Sequence, residues 1–164
     1  MRFRALAVGV FPCVLLGALL AAQPVQARTK TPIAVIAHPQ VPAEDLSLSE
    51  LRRIFLGERV FWSRNLTITL LAPPRGTPER KVLLQKIYQQ RSEAQYRRHW
   101  INKLFSDGGQ NAPKITGSPE MSASLARVIP GAIALVPADR IPEGVKVLRI
   151  DGKRPEESGY PLVE

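Results

Sequence analysis

Arg75, Gly76 and Thr77 stand between a strand-like run, 66–72, and a helix-like run, 79–91, with prolines at 73, 74 and 78 around them. A fixed positive charge, a flexible backbone and a hydroxyl thus meet where a helix begins. The chemistry suited to that combination is capture of an anion. Backbone N–H groups without helical partners and the positive end of the helix dipole both favour negative charge there. Arginine adds a planar fork that matches the oxygens of phosphate, sulfate or carboxylate. The same residues also read as helix punctuation, with Thr77 as N-cap, Pro78 as the first helical position and Arg75 as a solvated loop charge. Both readings stand at this level.

Groups for catalysis are sparse. Beyond residue 27 there are two histidines, His38 and His99, and no cysteine. His38 follows a strand and precedes Pro39, as a loop residue would, and His99 lies beside Arg97 and Arg98, which disfavour a proton or a metal cation. A zinc site needs three or four ligands at consistent spacing, and none is supplied. The sequence has no Gly-x-Ser-x-Gly elbow, Walker loop or dinucleotide glycine pattern. Its carboxylates are dispersed, and the adjacent pairs Glu44-Asp45 and Glu156-Glu157 cannot converge on one point in a helix or strand. The expectation is a non-catalytic protein with no metal and no cofactor.

The elements that must position the loop are legible from hydrophobic period. Residues 33–37 are a continuous apolar run and read as a buried strand, the apolar run 132–136 and the stretch 145–150 read as further strands, and Leu66, Ile68 and Leu70 alternate. Ser47 and Glu50 form a capping box opening a helix with Leu48, Leu51 and Phe55 inward, Leu46 and Leu51 as a hydrophobic staple, and Gly57 at its left-handed end. Leu83, Leu84, Ile87 and Tyr88 mark the apolar face of the helix after Arg75. Ser92 and Gln95 open a third helix with Tyr96, Trp100 and Leu104 as its stripe, closed by Asp107-Gly108-Gly109. A fourth, from Ser118-Pro119-Glu120, carries Met121, Leu125 and Val128 to Pro130-Gly131. Phe55, Phe61, Tyr96, Trp100 and Phe105 read mainly as core. Trp62 is the exception, expected in a loop beside Arg59 and Arg64. Alternating strands and helices predict one α/β domain with a mixed, mostly parallel sheet flanked by helices.

Residues 1–27 read as a signal peptide: Arg2 and Arg4, an apolar stretch 5–22 broken by Gly9, Pro12 and Gly17, then Val25-Gln26-Ala27. The proline and the short apolar length speak against a stable membrane anchor. Cleavage after Ala27 leaves the single domain 28–164 without cysteine, which fits a bacterial periplasmic protein better than a disulfide scaffold. Without Arg2 and Arg4, the 23 basic residues fall to 21 against 14 acidic ones, a formal charge of +7. Export and the lack of interleaved aromatic and basic strand residues argue against nucleic acid as a partner. Small oxyanions, acidic envelope polymers and anionic lipid head groups remain.

The order of motifs resembles the phosphate-binding (PstS-like) substrate-binding proteins of ABC transporters. The matching pieces are Leu51-Arg52-Arg53-Ile54-Phe55-Leu56-Gly57, Phe61-Trp62, the strand 66–72, Arg75-Gly76-Thr77, the helix-to-strand passage 128–136, and 145–152 with Tyr160-Pro161-Leu162. The resemblance implies a single-lobe periplasmic-binding-protein-like domain and carries Arg75, Gly76 and Thr77 over as ligand residues for phosphate or a related oxyanion. It also implies transport partners such as an ABC permease, without catalysis. Full-length members of the family have two lobes that close on the ligand, and this chain has room for one. Its loop is compressed and lacks the family's serine. A lone lobe would bind an oxyanion weakly unless a second copy or an envelope protein supplied the other wall. The alternative is an interaction module that keeps the fold without the binding site.

Overall fold

The computed structural model describes residues 31–89, 92–109 and 111–164, so the expected signal peptide lies outside the described residues. β1 (Ile33–Ala37) and β7 (Ala132–Pro137) form the centre, with every residue of both strands buried. Around them the sheet runs β2-β8-β1-β7-β5-β6, with β2 Asp45–Leu46, β5 Thr69–Ala72, β6 Lys114–Ile115 and β8 Lys146–Ile150. Neighbours β2 and β8, β7 and β5, and β5 and β6 pair in parallel, whereas β1 is antiparallel to both β7 and β8. One reversed strand therefore sits in an otherwise parallel sheet, the mixed α/β architecture expected.

Strand pleating splits the core into two layers. Ile33, Val35, Ala37, Ile133 and Leu135 face one side. There they meet α1 (Leu48–Phe55), α2 (Pro78–Val82) with the π-helical turn Leu83–Ile87 that extends it, and the first turns of α3 (Glu93–Asp107). Ala34, Ile36, Ala132, Ala134 and Val136 face the other, under α4 (Pro119–Val128). The tail closes the first layer: Ile33 N–H donates to Leu162 O at 2.8 Å, and the Tyr160 hydroxyl donates to Ile33 O at 3.0 Å.

Local signals hold where backbone chemistry decides. Both halves of the Ser47–Glu50 capping box are made, and Gly57 has φ +72°. Packing overrides the reading elsewhere. The expected strand 66–72 is split at Ile68 into β4 (Leu66–Thr67), which pairs with β3 (Phe61–Ser63), and β5. The helix expected over 79–91 is α-helical only to Val82 and continues as the π turn, with Tyr88 N–H donating to Leu83 O at 2.9 Å. The widened turn carries the Tyr88 hydroxyl to Phe55 O. On α4, Met121 and Val128 are exposed and the buried face is Ser122, Ala123 and Ala126. That sheet face is alanine-rich, so the helix docks closely through its small residues. On α3 the inward stripe stops at Tyr96 and half-buried Trp100, and Leu104 and Phe105 are exposed, Phe105 at 83%.

Candidate anion site

β5 delivers the chain to the loop 73–77 at the carboxyl end of the parallel strands, the edge where open α/β sheets place their ligands. β6, its parallel neighbour, delivers Thr116, Gly117 and Ser118 to the same edge. Thr116 ties the two strand ends together: its N–H and its Oγ1 both donate to Ala72 O, at 3.0 and 3.2 Å. Each of the two strands leads into a helix, α2 capped by Thr77 on one face of the sheet and α4 capped by Ser118 on the other. Sequence spacing did not relate Thr116 to Ala72, because only the β5–β6 pairing brings them together.

Each of the three expected ligand residues has a defined place. Gly76 has φ +82° and nothing within 4 Å of where a Cβ would stand, so it forms an open left-handed turn. Thr77 is the N-cap of α2: Oγ1 accepts from Arg80 N–H at 3.3 Å and donates its proton to Pro74 O at 3.0 Å. The Arg75 side chain is about half exposed, with Nε 3.7 Å from Glu93 Oε2.

The feature that sequence reading missed is the pair beside this loop. Arg80, only 2% exposed, donates from Nε to Glu93 Oε1 at 2.8 Å and from Nη2 to Glu93 Oε2 at 2.7 Å. Its guanidinium lies 3.9 Å from the centre of the Tyr96 ring, and its Nη1 is buried with no hydrogen-bond partner. Those hydrogen bonds from Arg80, with the nearby charges of Arg80, Arg75 and Arg97, hold the Glu93 carboxyl below the usual glutamate range. Glu93 is the first residue of α3 after its cap Ser92, so the start of α3 presents a carboxylate to the start of α2. The one sequence signal that could have found Arg80 is a charged residue on the face of the helix that carries Leu83, Leu84 and Ile87. A cleft of about 280 Å³ borders the group, lined by Gly76, Thr77, Arg80, Lys81, Glu93 and Glu164. Lys81 Nζ is 2.8 Å from Glu164 Oε1.

Other candidate residues have structural roles. Trp62 is not in a loop: it is buried in β3, and its Nε1 donates to Gly131 O at 2.9 Å. The β3–β4 hairpin folds its indole onto the Pro130-Gly131 turn, an arrangement that no local signal encodes. His99 Nε2 is 3.1 Å from Leu56 O, and His38 Nδ1 accepts from Gln40 N–H at 3.2 Å. Among the described residues no group of three His, Cys, Asp or Glu could hold a metal, and no helix is long and apolar enough to cross a membrane.

Solved structures share this one-lobe α/β arrangement. The protein has a PstS-like fold. An ABC-type phosphate transport receptor from Vibrio cholerae matches with TM-score 0.62 at 12% identity, over 81% of this chain and 54% of its own. PstS from Borrelia burgdorferi matches with TM-score 0.61 at 13% identity, over 82% of this chain and 55% of its own. A phosphate ABC transporter substrate-binding protein from Clostridium perfringens, solved with bound phosphate, matches with TM-score 0.58 at 19% identity, over 75% and 46%. The chain thus spans about half the length of these structures. No protein-family model and no curated protein matches the sequence.

Proposed function

We propose that this chain is a non-catalytic, solute-binding-type lobe of the bacterial cell envelope, exported by residues 1–27, that binds phosphate or a related oxyanion in connection with ABC-type transport. The observation that carries this reading is the Arg75–Thr77 loop. Its arginine is accessible, its glycine is left-handed and open, and it lies at the strand ends of a fold shared with phosphate-binding proteins. An exposed arginine contact contributes only about 0–1 kcal/mol, so the millimolar binding proposed for one wall, which needs about 4 kcal/mol, must draw on the loop's backbone N–H groups as well. Enclosure by a second copy, a permease or an envelope protein would strengthen it by excluding water. Titrating the full chain with inorganic phosphate by NMR tests the reading. Shifts at the Arg75 and Gly76 amides that vanish in Arg75→Ala support it, and silence of both amides at tens of millimolar overturns it.

A second reading has its own support. Thr77 donates its hydroxyl proton to Pro74 O, and Nε and Nη2 of Arg80 are taken by Glu93. A loop so satisfied suits an interaction module that keeps the fold for binding another envelope protein. Capture of an envelope protein other than a permease, indifferent to phosphate and to Arg75→Ala, would favour it.

A further inference from the structure

The Arg80–Glu93 pair has the geometry of a loaded oxyanion site in which the ligand belongs to the protein. Two carboxylate oxygens accept in parallel from one guanidinium, at 2.8 and 2.7 Å, and one of them stands 3.7 Å from a second guanidinium, that of Arg75. A tetrahedral oxyanion offers the same pair of oxygens to the same fork. Arg80 is buried, with side-chain exposure of 3%, and Nη1 still lacks an acceptor, so the carboxylate satisfies the fork only in part. Glu93 is the more exposed partner at 31%, and both residues line the cleft of about 280 Å³.

We propose that Glu93 is a resident surrogate anion: it occupies Arg80, and a soluble phosphate or sulfate gains that guanidinium only when the carboxylate is displaced or removed. The proposal rests on the oxyanion reading of this edge, and extends it from the exposed Arg75 to the buried Arg80. It accounts for a buried arginine with an open donor beside a cleft. Its physical basis is that an arginine stripped of water must have an anion, and does not distinguish a tethered one from a free one. The tethered carboxylate has the advantage of high effective concentration, which makes it the default occupant.

The test compares thermal unfolding of the full-length wild type, Glu93→Ala and the double variant Glu93→Ala/Arg80→Met in sodium chloride, sulfate and phosphate at matched ionic strength. Glu93→Ala is expected to melt lower in chloride and to regain much of the loss in phosphate or sulfate, because ligand binding to the folded state raises its melting temperature. The double variant should show no anion-specific gain, and the apparent phosphate affinity of Glu93→Ala should exceed that of wild type by about tenfold or more. Equal anion responses in Glu93→Ala and wild type, or a gain that survives loss of Arg80, would overturn the proposal. Should Glu93→Ala fail to fold in every salt, Glu93→Gln keeps the packing, and the Arg80 Nε resonance reads occupancy directly. An Arg80 signal that phosphate leaves unmoved in that variant refutes the surrogate role. A wild type silent at Arg75 with a responsive Glu93→Ala separates the two ideas: the surrogate stands and the proposed function falls.

Discussion

Arg80 and Glu93, thirteen positions apart, form a two-point ion pair that joins the start of α2 to the start of α3, with the Tyr96 ring beneath the guanidinium. The arginine is buried and the glutamate is about one-third exposed. Removing one partner of such a pair strands the other. Glu93→Gln should therefore cost on the order of 2 kcal/mol, at the low side for buried pairs because Glu93 keeps contact with water. Chemical denaturation of both proteins at neutral pH measures the difference.

The same pair sets a pH dependence. The Arg80 hydrogen bonds hold the folded-state pKa of Glu93 below the ordinary value of 4.5, with Arg75 and Arg97 contributing. A depressed carboxyl pKa gives stability that is complete above the unfolded-state value and is lost as pH falls through the folded-state value. The wild type should lose stability over and above Glu93→Gln on acidification below about pH 4.5, with the two curves parallel from pH 6 to 8. Parallel curves down to pH 3 would remove Glu93 from the acid response.

Tyr88 connects three elements. Its hydroxyl donates to Phe55 O at the end of α1 and accepts from Trp100 Nε1 at 2.9 Å, and its ring meets the Tyr96 ring edge-on, 4.9 Å between centroids. Burial pushes its pKa well above the usual tyrosine value, so it stays neutral. Tyr88→Phe leaves a buried carbonyl and an indole N–H without partners, a loss of about 1–3 kcal/mol. Trp100 fluorescence should report the change as well as the unfolding midpoint.

Two glycines separate strain from collision. A Cβ on Gly131, at φ +75°, would fall 2.1 Å from Thr67 O, whereas one on Gly76, at φ +82°, would meet nothing within 4 Å. Gly76→Ala should cost only left-handed strain, about 1–2 kcal/mol. Gly131→Ala must also part β4 from the Pro130-Gly131 turn and should cost more than 3 kcal/mol or prevent folding. The difference in midpoint between the two variants is the measurement.

Phe105 tests the revised α3. Its ring is 83% exposed, so Phe105→Ser should change stability by less than about 0.5 kcal/mol. A larger loss would restore the core role that hydrophobic spacing assigned to this part of the helix.

Sequence by itself determined what depends on neighbours along the chain. Ser47 with Glu50, Thr77 before Pro78, and the glycines at 57, 76 and 131 act through bonds and torsions within a few residues, and these caps and turns form as their types dictate. The runs 33–37 and 132–136 are apolar throughout because both faces of those strands are covered, so the two central strands were legible. Their directions were not, since β1 running against β7 and β8 is set by how distant segments pair. Tertiary structure alone decided which apolar faces were used. An alanine-rich sheet face admitted Ala123 and Ala126 of α4 and left Met121 and Val128 in water. It also decided the site. The loop Arg75-Gly76-Thr77 is a local pattern and was visible as a possible anion cradle. That a carboxylate thirteen residues beyond Arg80 fills the neighbouring guanidinium depends on two helices beginning at one place, which hydrophobic packing of their bodies imposes and no local spacing records.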